Sequence, residues 1–469
     1  MRGDCVKIKF GTDGWRGIIA EDFTFANLRR VSAAVARYIK EEGKAEQGLV
    51  IGRDTRFLAE EFARTVAETM TAAGIKIYLT NEAMPTPVTA YSVLAKEAAG
   101  AVMLTASHNP PEYNGFKFIP AYAGPALPHI TDRITALIPD EAAPVRGNQD
   151  LAEVFDPKPA YYDFLSRQVD LEKIKSSGLR VVINPMHGAG IGYLEDIFTG
   201  LGLLAVSQRN WRDPLFGGQM PEPKPALLKD LRQAVLAGQG DLGLALDGDG
   251  DRFGIIDATG AYLLPNDVLA LLARYLIEVR GLKGAIARTV STTTLLDRIA
   301  ERYGIPVIET PVGFKYQAQA MLEQQAFLAG EESGGLSIAG HIPEKDGILA
   351  CLLMAELTAH YGKPLTAVQE DIHTEYGRLY TRRLDIKCTP ETKEKVLEKL
   401  KTFSPKVIGR HKVIASTKID GSKFILDNRS WVLVRPSGTE ALFRIYAEAE
   451  TEPELEKIQQ AMAAELGLV

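Results

Sequence analysis

Two short segments of the chain carry groups suited to phosphoryl transfer. Thr105-Ala106-Ser107-His108-Asn109-Pro110 offers a hydroxyl with an imidazole beside it, and about 140 residues later Asp247-Gly248-Asp249-Gly250-Asp251-Arg252 offers three carboxylates and a guanidinium. A phosphorylated Ser107 would carry roughly −1.5 to −2 charge at neutral pH, and the carboxylates about −3 more, so the two segments would repel one another without a cation. Carboxylate and phosphate oxygens are hard donors that suit Mg²⁺, which would draw electron density from phosphorus and orient a transfer. Ser107, Asp247, Asp249 and Asp251 are therefore the expected metal set, with Ser107 as phosphate carrier.

Simpler readings exist for each segment taken alone. An isolated Ser-His pair in a loop is ordinarily a turn. Asp-Gly-Asp-Gly-Asp opens the calcium-loop pattern D-x-[DN]-x-[DN]-G-x₅-E, but Arg252 stands where its glycine belongs and Ala258 where its glutamate belongs. The flanks Leu242 to Leu246 and Phe253 to Asp257 are apolar and strand-like, which puts the three carboxylates on a loop between strands rather than between helices.

Further segments complete a pattern. Gly11-Thr12-Asp13-Gly14-Trp15-Arg16-Gly17 lies near the start, Gly330-Glu331-Glu332-Ser333-Gly334 in the third quarter, and Arg435-Pro436-Ser437-Gly438-Thr439 near the end. In this order, with the serine and aspartate segments, they make a chain that resembles the α-D-phosphohexomutases, the phosphoglucomutases and phosphomannomutases, over nearly its whole length. The resemblance implies four domains around a central cleft and a mutase that interconverts hexose 1-phosphate and 6-phosphate. Glucose is the first choice of sugar, with a phosphoserine enzyme, Mg²⁺, and glucose 1,6-bisphosphate as activator and intermediate.

The same resemblance assigns roles. His108 and Lys117 would move a proton between the serine oxygen and the sugar hydroxyl, and Arg16 and Arg252 would spread the charge of the moving group. Glu331 and Ser333, an acceptor and a donor, suit vicinal sugar hydroxyls, and Lys315 in Gly313-Phe314-Lys315-Tyr316 would touch the sugar or its phosphate. Arg435 with Ser437, Gly438 and Thr439 fits a clamp for the phosphate that does not react, since a planar guanidinium binds phosphate oxygens bidentately. Gly335 stands where many dual-specificity glucose/mannose members carry a histidine, and the Arg435 segment also resembles the glucosamine-phosphate branch. Phosphomannomutase, phosphoglucosamine mutase, a sugar-bisphosphate synthase and a non-catalytic sugar-phosphate sensor stay open as alternatives. Against the sensor, Ser107, the three aspartates and Arg435 are all intact.

Composition narrows the partners. Among 469 residues 46% are apolar, enough for several cores, and a formal net charge of −6 without any basic tract argues against a nucleic-acid or membrane-surface role. Small sugar phosphates are the expected partners, and oligomeric state is left open. Cys5, Cys351 and Cys388 are too few and too scattered for a disulfide framework or zinc site. Met1 to Phe10 has no apolar h-region, and the longest apolar run, around Ile348 to Met354, is far below the roughly 20 residues a bilayer needs. A cytoplasmic protein is expected.

The elements that must hold these loops follow from periodicity. Helices are expected at 24–42 and 58–74, and strands at 48–53, 75–80 and 99–104, the last running into Ser107. The alternation restarts at Leu179 to Ile183, runs through a helix at 226–237, and restarts again at Asp267 with helices near 267–280, 294–303 and 314–323. Pro-rich and polar joints are expected at 138–159, 257–265 and 362–375. Strands at 378–387, 423–427, 431–435 and 442–448 with helices at 390–401 and 452–465 make a last, smaller unit. The fold class is thus three consecutive α/β domains with mixed sheets, 1–150, 151–258 and 259–370, plus a C-terminal α+β domain, 371–469. Gly238-Gln239-Gly240-Asp241-Leu242-Gly243 matches G-x-G-x-x-G but follows a helix and precedes a strand, the reverse of a dinucleotide site. Asn184 to Gly190 reads as a strand-to-helix loop facing the cleft, with a structural role.

Overall fold

Long apolar runs become buried parallel strands when helices cover both faces of a sheet, and three such sheets form in succession. The computed structural model describes residues 8–11, 13–437 and 441–468. In the first sheet the strands lie in the order Trp15–Ile18, Tyr113–Pro120, Gly100–Leu104, Leu49–Arg53, Ile77–Thr80 and Ala152–Phe155. The last four run parallel and the first two are antiparallel additions. The second sheet centres on Val181–Asn184 and Leu242–Leu246, the third on Ala285–Thr289 and Ala326–Gly330, and every residue of these four strands is buried. The fourth sheet is antiparallel throughout, from Tyr380–Lys387 at one edge to Val407–Ile408 at the other.

One topological device recurs. Gly100–Leu104 returns antiparallel as Tyr113–Pro120, Leu242–Leu246 as Phe253–Ile256, and Ala326–Gly330 as Leu336–Ile338. Trp431–Pro436 likewise returns as Leu442–Ala449. The four reversals are the Ser107 segment, the aspartate segment, the Glu331 segment and the segment after Arg435. Each of the first three motifs sits where a buried strand ends and its chain must turn back, so strands on both sides fix its position, and Arg435 lies on the outgoing strand of the fourth.

The helix Gly347–Tyr361 is apolar on every side and buried from Gly347 through Leu357, as expected of a helix inside a core. Asp346 caps it by accepting from Leu349 N at 2.9 Å. It packs against Leu242–Leu246, Phe253–Ile256 and the helix Pro265–Glu278, so it ties the second unit to the third. Its first residue must be glycine, because a Cβ there would sit 2.4 Å from Arg252 O and 2.9 Å from Gly250 O. No helix among the described residues is long and apolar enough to cross a membrane.

The expected joint at 362–375 is instead largely helical, Leu365–Tyr376. Pro364 precedes its first turn, where proline starts a helix rather than breaking one, and Leu365, Val368, Ile372 and Tyr376 are buried at helical spacing. Asp257 Oδ2 caps it, accepting from Thr366 N at 3.0 Å and Thr366 Oγ1 at 2.6 Å. The joint at 138–159 contains Ala152–Phe155, which pairs with Ile77–Thr80, so the first sheet reaches past residue 150. The joint at 257–265 contains Tyr262–Leu263, which pairs with Ile255 and Ile256 and closes the second sheet.

Candidate active site

Ser107 stands at φ +52°, in the left-handed region that costs a non-glycine residue about 1–2 kcal/mol. The loop is held there from behind by Arg56, whose guanidinium is fully buried. Its Nη2 donates to Ser107 O at 2.6 Å and Asn109 O at 2.7 Å, and its Nη1 donates to Pro110 O at 2.7 Å and Tyr113 O at 2.9 Å. Asp54 balances the charge, accepting from Arg56 Nε at 3.0 Å and Thr105 Oγ1 at 2.7 Å, and Thr105 Oγ1 in turn accepts from Ser107 N at 2.8 Å. The Ser107 hydroxyl is thereby aimed at the aspartate loop, where Oγ donates to Asp247 Oδ2 at 3.0 Å. His108 Nδ1 lies 3.3 Å from the same Oγ. Burial, then the Arg252 and Arg16 charges, push the His108 imidazolium far below its ordinary range, so the ring is neutral.

Asp247, Asp249 and Asp251 are all buried and each presents a carboxylate oxygen within 4.8 Å of the others. Lys117 Nζ reaches Asp13 Oδ2 at 2.8 Å, Asp249 Oδ2 at 3.0 Å and Asp251 Oδ2 at 3.3 Å, and Lys345 Nζ reaches Asp251 Oδ2 at 2.9 Å. Thr86 crosses from the first unit, its Oγ1 donating to Asp249 Oδ2 at 2.6 Å and its backbone N to Asp249 O at 2.8 Å. Four carboxylates thus face two ammonium groups, and two buried oxygens, Asp249 Oδ1 and Asp251 Oδ1, have no hydrogen-bond partner. Unpartnered buried carboxylate oxygens are costly, and a divalent cation is the group that would satisfy them, so the donor set fits a metal. Burial and the neighbouring Asp249 and Asp251 charges push the Asp247 carboxyl well up. Burial also opposes ionisation of Asp249, but Lys117 beside it prevails and holds its carboxyl well below the usual range.

These loops open onto a cavity of about 900 Å³ lined by all four units: Arg16 and His108 from the first, Arg252 from the second, Lys315, Glu331, Ser333 and Lys345 from the third, and Arg435, Arg444 and Tyr446 from the fourth. Arg16 Nη1 donates to Asn109 Oδ1 at 2.6 Å, and Arg252 N donates to Asp247 Oδ1 at 3.0 Å. Glu331 Oε1 accepts from Gly313 N at 3.0 Å and Oε2 from Ser333 Oγ at 3.3 Å, while burial pushes its carboxyl up. Lys315 Nζ lies 5.4 Å from the Tyr316 ring centre, and burial lowers its ammonium. Arg435 lines the cavity wall, and its Nε is buried without a hydrogen-bond partner. Ser437 N donates to Leu442 O at 3.0 Å and Ser437 O accepts from Lys393 Nζ at 2.8 Å. Gly438 and Thr439 lie outside the described residues.

The loop 184–190 does not line the cavity but stands behind the aspartate segment. Ala189 N donates to Gly248 O at 2.9 Å, and Thr55 Oγ1 donates to His187 O at 2.8 Å. Four residues escaped the reading of the sequence. Asp13 lay in view, inside the segment quoted for Arg16. Arg56 belongs to a charged run, Asp54-Thr55-Arg56, directly after an apolar strand, and such a run at the mouth of a buried strand is a usable signal. Thr86 and Lys345 carry no local signal, because their partners come from other units.

Four family profiles match in sequence order: phosphoglucomutase/phosphomannomutase alpha/beta/alpha domain I over residues 7–144, domain II over 159–260, domain III over 264–376, and the C-terminal domain over 386–465. A phosphoglucomutase/phosphomannomutase of Thermococcus kodakarensis is 31% identical, covering 94% of this chain and 95% of its own. A phosphoglucosamine mutase of Pelotomaculum thermopropionicum is 29% identical, covering 96% of this chain and 97% of its own. A solved structure from Thermus thermophilus that bears a phosphomannomutase designation superposes with a TM-score of 0.88 and 34% identity, covering 99% of this chain and all of that one.

Proposed function

Because the chain belongs to the phosphoglucomutase/phosphomannomutase family of phosphohexomutases, which are isomerases, we propose that it interconverts hexose 1-phosphate and hexose 6-phosphate, with glucose as the preferred hexose, through phospho-Ser107 and a hexose 1,6-bisphosphate. The observation that carries this reading is the Ser107 hydroxyl, 3.0 Å from Asp247 in a buried carboxylate cage with two unpartnered oxygens. Such a cage beside a strained, externally clamped serine suits a hydroxyl that is esterified and de-esterified in turn.

In the first half-reaction the phosphorus–oxygen bond to Ser107 breaks and one to the free sugar hydroxyl forms. His108, 3.3 Å from the serine oxygen, is placed to take the proton that leaves the sugar hydroxyl. Lys117 is suited to donate one: burial disfavours its charge, but the Asp13, Asp249 and Asp251 carboxylates outweigh burial and keep it an ammonium. Arg16 and Arg252, both at the cavity wall, spread charge over the transferring group. Asp247, Asp249, Asp251 and the Ser107 oxygen would hold Mg²⁺, which would supply neutralisation of the phosphoryl charge when bound. Glu331 and Ser333 take sugar hydroxyls with Lys315 beside them. Arg435, Ser437, Gly438 and Thr439 hold the phosphate that is not reacting. The bisphosphate turns around between half-reactions, which is why one cavity needs both a reactive centre and a separate clamp.

The same reading divides the chain into four units, the first closing after Ala152–Phe155, the second after Tyr262–Leu263 and the third after Leu365–Tyr376, with one loop from each, and places it in the cytoplasm with sugar phosphates as partners. Glucosamine phosphates are the second reading, favoured by relatives named phosphoglucosamine mutases. Turnover of glucose, mannose and glucosamine 1-phosphates, assayed side by side with Mg²⁺ and with EDTA, tests the proposal. We expect glucose 1-phosphate to be fastest and EDTA to abolish turnover. Turnover undiminished in chelator rules out the cage as the reactive centre.

A further inference from the structure

The two ends of the proposed substrate site meet on two successive backbone amides. Gly313 N donates to Glu331 Oε1 at 3.0 Å, and the preceding amide, Val312 N, donates to Asp420 Oδ2 at 2.9 Å. That same oxygen accepts from Arg435 Nη2 at 2.7 Å. Val312, Gly313, Glu331 and Arg435 all line the cavity, whereas Asp420 does not. Asp420 therefore stands behind the site, joining the third unit's sugar-side loop to the fourth unit's cation through a single carboxylate.

Its placement is rigid. Gly421 follows it at φ +86°, and a Cβ at Gly421 would sit 2.4 Å from Val434 O. This close approach delivers the chain into Ser422–Leu426, with Ser422 paired to Val434, next to Arg435 on the neighbouring strand. Gly313, at φ +124°, starts the helix Phe314–Gln324 that carries Lys315. One carboxylate oxygen thus fixes the direction of a guanidinium whose residue lines the cavity wall.

We propose that Asp420 is a positioning residue for substrate binding: it aims Arg435 at the substrate's non-reacting phosphate and locks Arg435 to the Val312-Gly313 turn on which Glu331 rests. The proposal rests on reading Arg435 as the phosphate ligand and Glu331 as the sugar ligand. Without the carboxylate, Arg435 would swing among rotamers and the turn would lose its tie to the fourth unit, so binding would weaken before chemistry does.

The test uses the full-length chain as wild type, Asp420→Ala and Asp420→Asn. Steady-state kinetics with glucose 1-phosphate are read alongside calorimetric titration with glucose 6-phosphate. A charge-assisted hydrogen bond of this kind is worth about tenfold to a hundredfold in binding. Asp420→Ala should therefore raise KM and Kd by about that factor, with kcat within about threefold of wild type. Asp420→Asn should fall between the two, because its amide oxygen still accepts but carries no charge. A wild-type KM and Kd in folded Asp420→Ala overturns the proposal, as does a loss of kcat at unchanged KM. If Asp420→Ala does not fold, Asp420→Asn decides, and a wild-type Kd there overturns it. Should the wild type turn over no hexose phosphate at all, the mutase reading fails, while the two Kd values still judge Asp420.

Discussion

Arg56 shows how one residue outside any motif sets the chemistry of a loop within one. Its two terminal nitrogens satisfy the carbonyls of Ser107, Asn109, Pro110 and Tyr113, and Asp54 neutralises it in a site that water does not reach. Removing one partner of a buried pair leaves the other uncompensated, at a cost of about 3–5 kcal/mol. Arg56→Met should therefore lower unfolding free energy by about that amount in denaturant titration and lower the phosphorylated fraction of Ser107 in intact-mass analysis. Arg56→Lys should recover little of either, because a single ammonium cannot span four carbonyls. A melt and phosphoserine content like the wild type's in Arg56→Met would show that the loop holds itself. The reading of the sequence singled out Arg16, His108, Arg252, Lys315, Glu331, Ser333 and Arg435, which line the cavity, since their types announce chemistry. It passed over Arg56, Thr86 and Lys345, since an arginine, threonine or lysine announces nothing until its partners are in place.

At the scale of elements, most helices and buried strands followed from apolar period, and the loops fell at strand ends as expected. Phe25–Glu41 and Glu452–Leu466 lie within a residue of their expected spans. Two of the return strands, Phe253–Ile256 and Leu442–Ala449, were also legible, whereas Tyr113–Pro120 and Leu336–Ile338 were not, and periodicity could not supply the antiparallel pairing of any of them, because pairing direction depends on contacts distant in sequence. The helix Leu365–Tyr376 was hidden by its flanking proline, although its buried positions repeat at helical spacing. Its neighbour Pro265–Glu278 carries a titratable brace. Asp267 Oδ2 accepts from Leu264 N at 3.2 Å, and burial pushes this carboxyl from its ordinary 3.8 up to about 6. A raised folded pKa means the protonated acid favours folding. Its contribution is complete below pH 3.8 and is lost as pH rises through about 6. Asp267→Asn keeps an oxygen for Leu264 N and never ionises, so it should melt with the wild type below pH 3.8 and above it in temperature from pH 6 upward. A melting difference that is constant from pH 3.5 to 7 would contradict this assignment.

At the scale of the whole molecule, four sheets bring one loop each to one cavity, and the fourth is locked to the third by buried polar contacts. Glu448 accepts from Trp431 Nε1 at 2.7 Å, from Thr294 N at 3.0 Å and from Thr294 Oγ1, and Lys423 Nζ donates to Val290 O at 2.9 Å. Glu448→Ala leaves Trp431 Nε1 and the Thr294 N–H and hydroxyl unpaired, each at about 1–3 kcal/mol. Amide exchange in Trp431–Pro436 and Leu442–Ala449 should accelerate, and KM should rise, because Arg435 rides on that sheet. Unchanged exchange would place the lock elsewhere. The central claim concerns the meeting point of the first two units, where the Ser107 hydroxyl enters the aspartate cage. Its most direct measurement is intact-mass analysis of the purified chain before and after incubation with glucose 6-phosphate, run beside Ser107→Ala. The account predicts a phosphorylated fraction mapped to Ser107 that passes to the sugar as a bisphosphate, and neither phosphate nor mutase turnover in Ser107→Ala. Phosphate on another residue, or near-normal turnover by Ser107→Ala, would contradict it.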